Sequence, residues 1–421
     1  MACGIRRQAK LSDQVGTRTV EEHLSQVLEA TRSLAALDVT LVDANGCVLA
    51  ADVLAPWPSP PFDTAAIDGF AIRVSDVAQA TAENPVRLSV IDDVPAGYRA
   101  TESVRPGTAI RLSSGALLPD GTEAVAPRNL GDVSAMTVSV TTPIAAHANT
   151  RRRGEDVQLG TPVLSEGDVL GPRQLALLAS VGVGRAPVHP KPRAVVISVG
   201  AELVQEGTPL VPGLVPDALG VMIAAAVIDS GADAFRVGPV PDHQKALLST
   251  LEDQLVRADL VIVVGAVSET ARAAVESTLA QVGSIESVNV AMEPGSRHIH
   301  GQVGLDEAPV FALPSSPMGC YVAFEVFVRP VLRRMAGHHD IYRPVVRAVA
   351  GAGLRSPAGV RSFVRANLVV DGGRYVVHPT IDDAEHHLAP LATTDALMVI
   401  PDNVTEVRPG DAVVVMRLDE K

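Results

Sequence analysis

Four short stretches carry residues whose types and spacing could bind an anion. They are "GAEL" (Gly200–Leu203), "GAVSE" (Gly265–Glu269), "EPGSR" (Glu293–Arg297) and "LPSSP" (Leu313–Pro317). Each ends an apolar run. Glycine lets backbone N–H groups approach a phosphate closely, and serine ahead of a helix adds a hydroxyl. Small-residue loops of this kind gathered on one edge form a candidate anionic-ligand site. Three earlier stretches add acids and hydroxyls: "PFDTAAIDGF", with Asp63 and Asp68 five apart; "SSGALLPDG", with Ser114 beside Gly115; and "RRRGED", with three arginines before Gly154, Glu155 and Asp156. Simpler roles compete with site roles at each: Asp68 as a turn cap, Glu155 and Asp156 as solvated partners of Arg151–Arg153, Ser315 and Ser316 as helix caps. His298 and His300 lack a third ligand at metal spacing.

The elements that must hold these loops are legible from patterning. "RAVVISVG" (Arg193–Gly200), "ADLVIVVGAVSE" (Ala258–Glu269), "SIESVNVAMEPGSR" (Ser284–Arg297) and "PVFALPSSPMG" (Pro309–Gly319) read as four strands. Asp217–Gly231, Ala271–Gly283 and Cys320–Met335 read as helices. Apolar runs without alternation predict strands buried on both faces, hence a parallel-rich sheet covered by helices. Ligands in such sheets sit beyond the carboxyl ends of the strands.

Upstream, Thr19 with Glu22 three residues on is a capping box for a helix through Leu34. Asn45-Gly46 signals a hairpin. Short strands separated by Gly and Pro from Val86 to Thr142 predict a β-rich insert. Pro172–Gly182 reads as a helix with proline in its first turn. Beyond Gly337 strands return, predicting a separate small β-domain or barrel.

Composition narrows the function. A chain of 421 residues exceeds one core. Its net charge of −13 argues against general nucleic-acid binding, which needs a basic field. Lysine stands only at 10, 191, 245 and 421, so the positive charge is nearly all arginine. Three widely spaced cysteines, Cys3, Cys47 and Cys320, give neither a disulfide framework nor a zinc spacing and predict a reducing, cytoplasmic setting. No apolar run is long enough to span a bilayer.

"FDTAAIDGFAIR", "SSGALLPDGTEAV", "RRRGEDV", "VGAELV", "VAMEPGS" and "LPSSP…FEVFVRPVL" fall in the order found in the MoeA/gephyrin family, and from Thr19 onward the chain resembles those molybdopterin molybdenumtransferases. The resemblance implies an elongated homodimer with a segmented first domain (19–55 with 145–185), a β-rich insert (56–144), an α/β molybdopterin-binding domain (186–336) and a C-terminal β-barrel (337–421). It implies insertion of molybdate into adenylated molybdopterin with release of AMP, assisted by Mg²⁺. The cleft is implied to lie between the α/β domain of one subunit and the first two domains of the other. It also implies residue roles. Asp68, Asp156 and Glu202 are the catalytic candidates. Ser114, Gly115, Gly200, Gly265, Ser268, Pro294, Gly295, Arg297, Ser315 and Ser316 are the substrate-binding candidates. Asp242 and Glu269 are the metal-ligand candidates.

The loops depart from the family pattern. "TGDEL" stands as Val199–Leu203, with Ala201 in place of the acid. "GGVSVGDYD" stands as Gly265–Ala273, with Ala266 for a glycine and most acids gone. "MKPGKP" stands as Met292–Arg297, with both lysines lost and Glu293 at one of them. Opposite unit charges about 4 Å apart interact by roughly 4 kcal/mol at an effective dielectric near 20, so a reversed sign weighs heavily on a polyanionic substrate. Arg297 and Arg272 are the residues available to restore positive charge. Two readings follow: the family transferase, and a catalytically degenerate gephyrin-like scaffold binding a linear peptide partner, as in bacterial division assemblies.

Overall fold

The computed structural model describes residues 17–129, 133–134, 136–380 and 384–419. They form two compact units, one holding the residues up to Leu37 and from His189 onward, the other Asp38–Val188. Cys3 lies outside the described residues.

The first unit is built on a seven-stranded sheet. In chain order its strands are β1 (Thr17–Arg18), β2 (Arg193–Val199), β3 (Asp233–Val240), β4 (Leu260–Gly265), β5 (Gly283–Val290), β6 (Arg297–Val303) and β7 (Ala308–Ala312). Their spatial order is β1-β5-β6-β7-β4-β2-β3. β7, β4, β2 and β3 run parallel, while β6 is antiparallel to both neighbours. The helices are α1 (Val20–Glu29), α2 (Ala218–Asp229), α3 (Gln244–Leu255), α4 (Glu269–Val282), α5 (Pro317–Ala323) and α6 (Arg329–Met335). Alternate residues of β2 divide between two cores. Ala194 and Val196 pack with α1, α2 and α5–α6, whereas Val195 and Ile197 pack with α3 and α4. A strand buried on both sides needs apolar residues at every position, which is why "AVVIV"-type runs announced this sheet.

Three details differ from the sequence expectation. The third strand is two strands, β5 and β6, joined through a cis Glu293–Pro294 bond. α4 starts two residues earlier than Ala271, because Ser268 caps it by accepting from the Ala271 N–H at 3.0 Å. The last helix starts at Pro317 and passes through a π turn, Phe324–Val328, just before Pro330, whose nitrogen has no hydrogen for the helical ladder. The capping box is present: Glu22 N–H donates to the Thr19 hydroxyl at 3.2 Å, and Thr19 N–H donates to the Glu22 carboxylate at 2.9 Å.

The same unit ends in a closed five-stranded barrel. β8 (Val345–Ala350), β9 (Arg361–Asp371), β10 (Arg374–Pro379), β11 (Ala396–Ile400) and β12 (Ala412–Arg417) follow the order β9-β10-β8-β12-β11, and β11 pairs back onto β9. Met292–Glu293 adds to the barrel as a parallel strand against Arg361–Ser362.

The second unit holds a five-stranded sheet ordered Thr137–Val140, Val86–Val94, Thr108–Leu112, Gly69–Ile72 and Ala124–Pro127. The Asn45-Gly46 turn forms, with Gly46 at φ 81°. The strands it joins do not pair with one another. Leu37–Thr40 and Val48–Leu49 flank Arg185–His189 instead, so the hairpin expected there is a three-stranded sheet closed by a distant segment. Among the described residues no helix is long and apolar enough to cross a membrane.

Candidate functional site

The carboxyl ends of β2, β4 and β7 bring together Gly200, Gly265 and Leu313–Ser316. Gly265 has φ 88°, and a Cβ there would stand 2.3 Å from the Val199 carbonyl oxygen, so no other residue fits. Ala266 follows at φ 53°, a left-handed conformation that strains an L side chain. Substituting Ala266→Gly is therefore expected to stabilise this unit by about 1 kcal/mol. Thermal denaturation measures it, and an unchanged or lowered midpoint contradicts it. Ser316 caps α5 by accepting from Gly319 N–H at 3.2 Å. Gly295, at φ 80°, approaches Gly319 so closely that a Cβ would lie 3.0 Å from its Cα. Pro294 and Gly295 are thus seated against the start of α5.

A cavity at this edge is lined by Gly265, Ala266, Arg272, Arg297, Pro314 and Ser315. Arg272 projects from the first turn of α4 and Arg297 opens β6. Both reach one carboxylate oxygen of Glu269, at 3.7 and 3.5 Å. Glu269, expected with Asp242 to ligate Mg²⁺, faces two guanidinium groups, whereas a hard cation takes carboxylate and phosphate oxygens. Asp242 stands in the loop ahead of α3. Among the described residues no group of three His, Cys, Asp or Glu could hold a metal ion.

Glu202 folds back over Gly200; a Cβ on that glycine would meet its carboxylate at 2.8 Å. Beside it lies an acid that the sequence reading used only as a helix boundary. Asp217 is buried, caps α2 through Gly220 N–H at 2.9 Å, and accepts from the Ser198 hydroxyl at 2.5 Å and Arg236 at 3.1 Å. Arg236 also grips Glu206 with two bonds of 2.6 Å, and this fork holds the Glu206 carboxyl down at about 2. An aspartate directly ahead of an apolar helix was the available signal for Asp217.

Glu293 does not share the arginine-lined cavity. It lines a second one, with Met318, Arg355, Arg365, Thr380 and Glu385. The Ser316 hydroxyl donates to Glu385 at 2.8 Å, and Met318 N–H donates to the Glu385 carbonyl at 3.1 Å. The sign reversal at residue 293 therefore falls on a different surface from the one Arg297 serves.

In the second unit the structure brings three predicted stretches together. Thr64–Ala65 pairs with Thr150–Arg151, and Ala65 N–H donates to Ala116. Asp68 accepts from Ser114 N–H at 2.7 Å, and the Ser114 hydroxyl donates to the Ala66 carbonyl at 3.2 Å. Gly115 takes φ 78°, and a Cβ at Gly69 would sit 2.2 Å from the Ala126 carbonyl oxygen. Glu155 is spent within its own loop, accepting from Arg152 N–H at 2.8 Å and Arg151 at 3.3 Å. Asp156 is exposed, anchored by its backbone N–H to the Ser59 carbonyl at 3.0 Å. Asp68 and Ser114 are thus a matched pair, and Asp156 stands on the adjoining loop as an exposed acid.

Comparison with known proteins adds a third line. Residues 18–182 match the MoeA N-terminal region (domain I and II), 195–334 a probable molybdopterin binding domain, and 347–418 the MoeA C-terminal region (domain IV). Molybdopterin molybdenumtransferase 2 of Mycobacterium tuberculosis is 39% identical over 399 residues, covering 93% of this chain and 98% of that protein. Molybdopterin molybdenumtransferase 1 of the same organism is 36% identical over 416 residues, covering 94% and 98%. The crystal structure of a molybdopterin biosynthesis MoeA protein from Pyrococcus horikoshii superposes with a TM-score of 0.70 at 27% identity, over 96% of this chain and 100% of that one.

Proposed function

The chain belongs to the MoeA family and has a role in molybdenum-cofactor biosynthesis, and on that premise we propose that it inserts molybdate into adenylated molybdopterin with release of AMP. The observation that carries the reading is the carboxyl edge of the sheet. Gly265 and Ser315 stand at an opening flanked by Arg272 and Arg297, where backbone N–H groups and two guanidinium groups can meet phosphate oxygens above an apolar floor. Ser268 and Ser316 fix the helices on either side. Glu202 and Asp68 supply carboxylates for positioning the reacting groups or moving a proton. The working form is proposed as a homodimer. Its four domains are proposed at 19–55 with 145–185, 56–144, 186–336 and 337–421. The degenerate scaffold finds no support, since the relatives that match nearly the whole chain are named as transferases.

The test is molybdate-dependent AMP release from adenylated molybdopterin by the purified protein. No release above a no-protein control sinks the proposal. Within it, Asp68→Asn is expected to lower the rate about 10²-fold, as for a group acting through its charge or proton. The amide oxygen of asparagine can still accept from Ser114 N–H, so the loop keeps its shape. Unchanged turnover would reduce Asp68 to a loop anchor.

A further inference from the structure

We propose that Arg272 and Arg297 form a two-guanidinium clamp for a phosphate group of the ligand, and that Glu269 is its built-in competitor, a carboxylate that the phosphate displaces. This rests on the molybdopterin reading for the identity of the ligand, though not for the clamp. Both guanidinium groups converge on a single oxygen of Glu269, at 3.7 and 3.5 Å. These separations exceed those of tight charge-assisted bonds, so the carboxylate is loosely held. The exposures are unequal: the Glu269 side chain is 81% exposed, against 26% for Arg272 and 47% for Arg297. The anion is the removable member and the cations are the better-anchored ones.

Two positive groups facing one negative group leave a positive balance at a cavity whose rim includes Gly265, Ala266, Pro314 and Ser315 and whose floor is apolar, with Val264 and Ile299 in it. An exposed carboxylate pair contributes little. A phosphate offers more charge and three oxygens to two planar donors, each capable of bidentate contact. Exchange of Glu269 for phosphate is therefore favourable, and it empties the place next to Ser268 without disturbing that cap. Glu269 then sets a threshold: monoanions compete poorly with it, while a pyrophosphate-bearing ligand replaces it. The positive charge of this cavity comes from β6 and α4 and is independent of Glu293, which lines a different one.

The experiment is calorimetric titration of the full chain with inorganic pyrophosphate and, separately, with adenylated molybdopterin, both in the presence of a chelator. Glu269→Gln is expected to tighten pyrophosphate binding about two- to fivefold, the size of one removed repulsion at an exposed ion pair. Arg272→Gln and Arg297→Gln are each expected to weaken it by roughly tenfold or more and to flatten its salt dependence. All three side chains are at the surface, and matching thermal melts confirm folded variants. Weaker binding by Glu269→Gln, or unchanged binding by either arginine variant, overturns the clamp. If wild type takes pyrophosphate with this pattern yet ignores adenylated molybdopterin, the proposed function fails while the clamp stands.

Discussion

Glu325→Ala is expected to destabilise the sheet-and-barrel unit by about 3–5 kcal/mol, the cost of stripping a buried charge of its partner. Glu325 lies in the π turn with its side chain fully buried. It receives Arg343 through two bonds, Nε at 2.8 Å and a terminal nitrogen at 3.0 Å, with Arg329 Nε 3.9 Å away. Both arginines are themselves buried. Asp229 touches the same pair, at 2.5 Å from Arg343 and 3.4 Å from Arg329, but its side chain is 58% exposed. Water already solvates that carboxylate, so Asp229→Asn is expected to cost under about 1 kcal/mol. Replacing all three buried charges together, Glu325→Met with Arg329→Met and Arg343→Met, is expected to cost less than Glu325→Ala alone. An apolar replacement leaves no unpaired ion. The single tryptophan, Trp57, sits in the other unit, so hydrogen exchange at the amides of β2 and β4 is the proper measurement. Equal losses from Asp229→Asn and Glu325→Ala would contradict this account.

The second large effect is acid lability of the same unit. His23 on α1 meets His300 and His298 of β6 at ring-centroid distances of 4.6 and 5.4 Å, with Phe327 against both His23 and His298. Burial is the main cause that holds all three neutral. His23 is pushed down to about 2, and His298 and His300 to about 4. Arg18 and the histidines' mutual repulsion work in the same direction on His23, while Glu286, 3.7 Å from His300, opposes them there. Both ring nitrogens of His23, Nε2 of His298 and Nδ1 of His300 are buried without hydrogen-bond partners.

The sign follows from linkage. The unfolded chain takes up a proton at each imidazole as pH falls below 6.5, and the folded unit does not. Stability is therefore full above 6.5 and declines through the window from 6.5 toward 4, by about 1.4 kcal/mol per pH unit for each histidine once well below 6.5. Three histidines acting together make a steep slope. Exchange-derived stability at pH 7.5, 6.0 and 5.0 should show it, and His23→Phe, which packs on Phe327, should remove about a third. A flat profile from 7.5 to 5.0 would refute the neutral cluster.

Legibility from sequence tracked the number of buried faces. β2 and β4 announced themselves because both of their faces are covered, and Gly265 marked the end of β4 because only glycine fits against Val199. β3 did not. At the sheet edge it is largely half-buried, so "DAFRVGPV" mixes polar and apolar residues, and α3 behind it was missed as well. β6 was hidden by its histidines, which look polar in sequence yet lie buried in the trio. The sheet is parallel-rich and not wholly parallel because the Pro-Gly segment joins two antiparallel strands there.

In the candidate site, glycines and serines were readable because their roles are local. Partnerships were not. The Ser316–Glu385 bond spans 69 residues, and Arg272 and Arg297 meet over Glu269 only once β6 turns back toward β7. Asp68 and Ser114, 46 residues apart, became a pair only through the crossing of the insert strands.

The two-residue strand Met292–Glu293 has a consequence for how this chain can change. It takes the segment between β5 and β6 and zips it onto the mouth of the barrel, with Arg361 N–H donating back to Ala291 at 2.9 Å. Surface connections ordinarily absorb insertions and deletions. Here an added residue would slip the zipper's register and drag Gly295 off α5 in the same stroke. The stretch is locked in length, whatever side chains it carries.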